Sequence, residues 1–478
     1  MNGATFLRSL GSAMGSRLGI AGLNYGLFWS VSHLLDKEAL GGFSVLMGVF
    51  FLVQLLPMLG LAVPHIRRVA SHPQSLASEL SNAFAFAAPV SLVLAIIVGG
   101  WGQASFGPAF ALPFWLMAAS LVPTSWIVVA ECTLVGLERI VDIARVNLAE
   151  SLLRTLLALL AVKFGFGLTG VFVVFLILRC AAAGFYLWYP GLSSPRWSLV
   201  SAQVQWRNWR EVPVYFGIAL AAALVSRIDV IVLSYMRGLA EAAVYSGAAR
   251  LYEAALMLPT VLALVIMPAL SRQFVSANDK FRDTLAKVVR GSLVLGLAMA
   301  LPAAAFSQWL IGLLYRADMA GGGPVLRWLV FAAALMLTDV ILSATMLAAK
   351  AQKHDLQALT ISLVVLFAAL LSTVQLFGAQ GAAASVVLSL AVRVAIRLHW
   401  ARHVFHMAFE LVDLARLCAA TAAGVAALVV MLPFGAWISG LAGLSLYVVV
   451  LLASGGFGRN PWRQLQALRA DLSSLARR

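Results

Sequence analysis

Apolar runs long enough to cross a lipid bilayer alternate with short polar breaks along the whole chain. Fourteen can be marked, at 12–34, 40–63, 82–101, 113–136, 143–162, 168–189, 213–236, 244–269, 285–308, 325–348, 356–377, 381–400, 415–433 and 435–455. The pattern predicts an all-α polytopic membrane protein of about fourteen transmembrane helices. Loops are short, and no stretch between the runs has room for a soluble catalytic domain. The N-terminus lacks a compact apolar region followed by a small-residue cleavage site, so it reads as a retained first helix.

Composition agrees with this pattern. Of 478 residues, 62% are hydrophobic and 11% charged, and the mean hydropathy is +0.94. A single soluble core could not bury so much apolar surface, whereas lipid can solvate it. The net charge of +15 raises the idea of nucleic acid, but a nucleic-acid face would gather its cations on a soluble surface. Here they sit in the breaks, and in alternate ones. If the N-terminus is cytoplasmic, one side receives Arg67, Arg68, Arg139, Arg145, Arg196, Arg207, Arg210, Arg272, Lys280, Arg282, Lys287, Arg290, Lys350, Lys353, Arg397, Arg402 and the tail from Arg459. The other keeps little beyond Lys37, Lys163, Arg237, Arg316 and Arg327. That bias predicts both termini in the cytoplasm. Trp197, Trp206 and Trp209, beside Arg207 and Arg210, read as an interfacial belt. Cys132, Cys180 and Cys418 lie in apolar stretches and read as small core residues without a disulfide framework.

A weak duplication divides the chain. Phe43-Ser44 stands as far ahead of Pro57 as Tyr245-Ser246 stands ahead of Pro259. Each pair falls in the second run of a six-run half. Two pseudo-symmetric six-helix lobes and two C-terminal helices follow: an N-lobe at 1–190, an interlobe linker at 191–212, a C-lobe at 213–405, the last two spans at 406–456 and a basic tail at 457–478.

Motifs for nucleotide hydrolysis, zinc peptidase, dithiol and serine-hydrolase chemistry are absent. The G-x-G-x-x-G at Gly165, Gly167 and Gly170 joins two spans and reads as a tight turn. The chain is therefore not expected to be an enzyme, and no metal or organic cofactor is expected. The informative residues are ionisable groups inside spans, which are costly there unless paired or hydrated. Arg17 lies near the start of the first span, with Asn24 about two turns on. Glu150 and Arg154 are spaced i,i+4 and suit a structural pair; Arg179 follows in the sixth span. Arg250 and Glu253 are spaced i,i+3, and Asp339 stands alone in the tenth span. Arg227 and Asp229, two residues apart, point to different parts of one helix surface. Arg227 is expected to face a hydrated, positively charged vestibule between two halves. Pro57, Pro259 and Pro268 are expected to kink their spans. The small-residue repeats at Gly11, Gly15 and Gly19, and at Gly22 and Gly26, suit close helix packing.

The stretch 226–274 resembles spans seven and eight of polysaccharide exporters in the multidrug/oligosaccharidyl-lipid/polysaccharide exporter superfamily. The resembling residues are Arg227-Ile228-Asp229, Tyr245, Ala248, Arg250-Leu251, Glu253, and Pro268 ahead of Ser271-Arg272. The stretch 310–357 is similar to that family's glycine-rich external loop, tenth span and basic turn. The resemblance implies a flippase in the bacterial inner membrane. Such a protein carries an undecaprenyl-diphosphate-linked oligosaccharide across by alternating access, for O-antigen, capsule or exopolysaccharide assembly. Arg17, Arg227 and Arg250 are the expected substrate-binding cations, because guanidinium matches phosphate oxygens and stays charged. Asp229, Glu253 and Asp339 are candidates for coupling to H+ or Na+. The implied partners are the lipid-linked oligosaccharide, membrane lipids, a polysaccharide polymerase and other assembly proteins. Lipid II flippases form the second reading, although arginines are sparse here before Arg67. A multidrug or cation antiporter ranks third, since it would want acidic cavity groups. A membrane-embedded glycosyltransferase or polymerase would need a large catalytic external loop.

Overall fold

The computed structural model describes residues 3–192, 194–257, 259, 279–349, 351–407 and 411–455. Pro268, Ser271, Arg272 and the basic tail at 457–478 lie outside the described residues, as does the side chain of Arg17. Among the described residues every regular element is a helix. Eight helical stretches among them are long and apolar enough to cross a membrane.

The chain divides into two compact units, Met1–Ala243 and Val244–Arg478. In the first, α1 (Gly3–Leu34) packs on α7 (Ile140–Lys163). Helix α4 (Leu76–Phe106) packs on α5 (Pro108–Ala119) and α6 (Leu121–Gly136). Helix α7 also packs on α8 (Gly167–Leu187). The turn between α7 and α8 is the glycine-rich motif, with φ of 84° at Gly165 and 55° at Gly167, values that side-chain-bearing residues rarely adopt.

The second apolar run departs from expectation. The sequence predicts one span kinked at Pro57; the structure has two helices, α2 (Lys37–Val53) and α3 (Ala62–Ser71), with turns between them. Proline clashes with the carbonyl four residues back and lacks an N–H. Val53 occupies that position, and α2 stops there. The left-handed residues Leu59 (φ 43°) and Gly60 (φ 82°) then redirect the chain.

The helix carrying the seventh run, α9 (Ala202–Arg237), groups with the first unit, where it packs on α2. The backbones come very close at its far end. A Cβ on Gly41 would collide with the carbonyl oxygen of Leu239, at the start of α10 (Leu239–Ala255).

In the second unit, α11 (Asp279–Ala305) and α12 (Ser307–Leu314) precede α13 (Gly322–Ala348). The long α14 (Gln352–Phe405) packs on α13, and α15 (Leu411–Met431) on α16 (Ala436–Ala453). Helix α14 is two helices that meet at Gly378, whose non-helical backbone (φ 55°, ψ −131°) turns the chain. The bend falls between the two apolar runs read at 356–377 and 381–400. Thr373 Oγ1 donates to the carbonyl oxygen of Gly381 at 2.9 Å and meets Ser385 Oγ at 2.8 Å, closing the hairpin.

Large apolar side chains face outward on many helices, as at Ile97, Leu376 and Val430. In water that would be unfavourable; in a bilayer it is the expected surface. Cys180 and Cys418 share that outward surface, so they are not the core residues expected from sequence.

Candidate functional site

Ionic groups inside the helices gather at distinct places. In the first unit, α7 supplies Glu150 and Arg154 and α8 supplies Arg179. Arg154 Nη1 lies 3.9 Å and Arg179 Nε 3.4 Å from the same oxygen, Glu150 Oε1. The i,i+4 pairing expected from spacing is therefore present, with a second cation added from another helix. Arg154 Nη2 also donates to Asn24 Oδ1 on α1 at 2.6 Å. Aromatic rings complete the setting: Arg179 lies 5.3 Å from the Phe50 ring centre and 5.4 Å from that of Phe175. The negative faces of those rings favour a cation that lipid would reject.

Glu131 on α6 lies beside this cluster and accepts a hydrogen bond from Asn147 Nδ2 at 2.9 Å. It is absent from the residues that sequence reasoning singles out. A carboxylate inside the run 113–136 is the same signal that draws attention to Glu150, so it is legible by the same rule.

Arg227 sits on α9, half-buried, with its guanidinium carbon 5.2 Å from the ring centre of Phe51 on α2. The adjoining residues Gly48 and Val230 bring these two helices together, which places the ring over the arginine. Asp229 is also half-buried, and its Oδ1 accepts from the backbone N–H of Val230 at 2.8 Å. Arg17 belongs to α1.

In the second unit, Arg250 and Glu253 form an i,i+3 ion pair on α10 at 3.0 Å. Asp339, expected from sequence to stand alone, is the opposite. It is 3% exposed and is bridged by Arg393 at 3.0 Å and Arg397 at 2.6 Å, both from α14. Arg397 further contacts Asp355 at 2.8 Å, and Ser343 donates to Asp355 Oδ2 at 3.4 Å. Two aspartates and two arginines thus balance within the apolar interior. The correction has a simple origin: the hairpin at Gly378 returns the chain, so partners far away in sequence meet Asp339. By the charge pattern Arg397 counts with the basic residues on the cytoplasmic side and Arg393 is passed over, although both lie inside the run 381–400.

Among the described residues no group of three or more His, Cys, Asp or Glu side chains is placed to hold a metal ion. What the helices do offer is guanidinium at several positions, a chemistry suited to anionic oxygens.

Known proteins share this arrangement of helices. No curated protein matches the chain in sequence. The fold is similar to that of lipid II flippase MurJ in an inward closed conformation, with 14% identity and a TM-score of 0.69, covering 95% of this chain and 99% of that one. It is also similar to an inward-facing multidrug resistance MATE family transporter of the MOP superfamily, with 14% identity, a TM-score of 0.63 and coverage of 81% and 94%. A MOP superfamily transporter from Pyrococcus furiosus aligns at 15% identity with a TM-score of 0.57, covering 83% of this chain and 94% of that one. At such identities these likenesses concern the fold. The polysaccharide biosynthesis protein family matches residues 6–274, more than half of the sequence. The chain is an integral membrane protein that belongs to the polysaccharide biosynthesis protein family, with the helical fold of MOP-superfamily transporters.

Proposed function

We propose that the protein is a flippase for undecaprenyl-diphosphate-linked oligosaccharide repeat units. It carries them from the cytoplasmic to the outer leaflet of a bacterial inner membrane for surface polysaccharide assembly. The observation that carries this reading is the half-buried Arg227, held over Phe51 within a membrane helix of a polysaccharide biosynthesis family member. A diphosphate headgroup loses hydration on crossing the bilayer, and a fixed guanidinium restores part of that loss through charge-assisted hydrogen bonds. Arg250 and Arg17 are the further cations on this path. Alternating access exposes them first to one side and then to the other. Asp229 and Glu253 are the carboxylates suited to take up a proton or sodium ion. Asp339 suits that task less well, because two guanidinium groups already occupy its carboxylate oxygens.

Lipid II is the second substrate reading, favoured by the fold likeness to MurJ over nearly all of both chains. Deleting the gene and identifying which lipid-linked sugar accumulates separates the two. Accumulated repeat units support the proposal; accumulated lipid II replaces it. Arg227→Ala is expected to abolish export at near-normal protein level, with partial recovery in Arg227→Lys. Normal surface polysaccharide in the alanine variant removes Arg227 from the mechanism.

A further inference from the structure

At one end of the first unit, where α8 ends and α9 begins, the segment from Arg196 to Glu211 is fixed by its inner face and bare on its outer one. The inner face is pinned to the start of α4. Ser81 Oγ accepts from the N–H of Arg196 at 3.0 Å, and Asn82 Oδ1 from the N–H of Ser201 at 3.0 Å. Asn82 Nδ2 donates to the carbonyl of Leu199 at 3.0 Å, and Gln205 Nε2 to that of Asn82 at 2.9 Å. Arg68 ties the same face down, reaching Glu79 at 3.2 Å, Glu211 at 3.3 Å and the buried Asn208 at 3.3 Å. Backbone that could otherwise move is held in one place by neighbours on α3 and α4.

The outer face has a different chemistry. Gln203, Trp206, Arg207 and Arg210 recur at i, i+3, i+4 and i+7 and so share one side of α9. Together with Val204 and Glu211 they line an open depression along the helix surface. Trp206 is 68% exposed. Arg207 lies 3.8 Å from Glu79, too far for a hydrogen bond. Arg210 is exposed and has no ion-pair partner among the described residues. Trp188 and Trp197 are exposed nearby in the chain. Indole rings with an apolar body and a polar edge settle at the headgroup level of a bilayer, and this is the side to which the basic loops are assigned.

We propose that this outer face is a binding site for the phosphate headgroups of acidic phospholipids, with Arg207 and Arg210 contacting phosphate oxygens while Trp206 lies among the glycerol and upper acyl chains. Charge complementarity selects the occupant: two guanidinium groups favour a net anionic lipid over a zwitterionic one, whose own amine competes for the phosphate. The rigid inner face means that little ordering is lost when a lipid binds.

The test uses the full-length protein in detergent. Native mass spectrometry counts retained lipid after addition of phosphatidylglycerol or of phosphatidylcholine at equal concentration. Phosphatidylglycerol is expected to be retained in excess, and the double variant Arg207→Gln/Arg210→Gln to lose about fivefold in retention per arginine removed. Arg210→Gln alone breaks no ion pair of the described residues and gives the same readout if the double variant fails to fold. In bilayers, brominated phosphatidylglycerol is expected to quench less fluorescence in Trp206→Phe than in the parent. Equal retention of the two lipids overturns the proposal, as does unchanged retention in Arg210→Gln and the double variant. Capture of inorganic pyrophosphate by these arginines, with no preference between the lipids, overturns it as well and assigns the face to a soluble anion.

Discussion

In the second unit Arg393 and Arg397 meet Asp339 and Asp355 at 2.6–3.0 Å, two cations against two anions. In the first unit Arg154 and Arg179 share one carboxylate oxygen at 3.4–3.9 Å and lean on phenylalanine rings. Both arrangements keep guanidinium inside apolar helices, but they do different things with it. Short, balanced contacts satisfy the charges internally and lock α13 to α14. Longer contacts and ring faces stabilise a cation without cancelling its charge. Each cluster leaves buried atoms without a hydrogen bond among the described residues, Glu150 Oε1 and Arg179 Nε in one and Asp355 Oδ1 and Arg397 Nε in the other, so what separates them is the length of the ionic contacts and the presence of the rings. Arg227 likewise has a ring face against it, that of Phe51, alongside its other interactions. Arginine neutralised by short contacts is a fastener, and arginine supported on a ring retains attraction for an anion.

The sharpest way to break this contrast is Asp339→Ala. It strands the buried guanidinium of Arg393 and leaves Arg397 only Asp355, and breaking a buried pair costs about 3–5 kcal/mol. The expected result is a large fall in yield and in the melting temperature of the detergent-solubilised protein. Joint replacement, Asp339→Leu with Arg393→Met, should cost less than the single change. Asp339→Ala melting like the parent, yet unable to transport, would return Asp339 to the ion-coupling role.

The helical plan was legible because lipid exposure demands apolar faces on every span, and Ile97, Leu376 and Val430 display it outright. The bend at Gly378 fell where the apolar runs separated. The break after Val53 did not announce itself, since Pro57 signals a disturbance but not whether a helix kinks or stops. Local spacing found Glu150–Arg154 and Arg250–Glu253, both within about one helical turn. It could not find the partners of Asp339, which hydrogen-bond across 54 and 58 positions of chain. Glu131 and Arg393 were readable from the rule applied to other intramembrane charges.

A smaller effect is expected from Glu150→Gln. The two ion pairs that it weakens are longer than those of Asp339, and Asn24 still accepts from Arg154. A destabilisation of about 1–3 kcal/mol is appropriate for a weakened, buried charge contact. Thermal melting against Asp339→Ala tests the ranking directly. If Glu150→Gln destabilises as much as Asp339→Ala, the first cluster is a fastener too and the contrast collapses.

The smallest structural effect, and the most telling one for function, belongs to Phe51→Leu. Leucine keeps an apolar side chain between α2 and α9 but removes the ring face under Arg227. A cation–π contact contributes roughly 0.5–2 kcal/mol, so melting should shift little. If the ring holds the guanidinium where a diphosphate passes, the rate of export should fall about two- to thirtyfold, the same free energy expressed in the rate. Phe51→Tyr keeps the ring face and should retain most of the activity. A matched fall in Phe51→Leu and Phe51→Tyr would mean that ring shape matters and the cation does not. Full activity in Phe51→Leu would leave Arg227 positioned by its other interactions, and ring support would cease to distinguish the working arginines from the fastening ones.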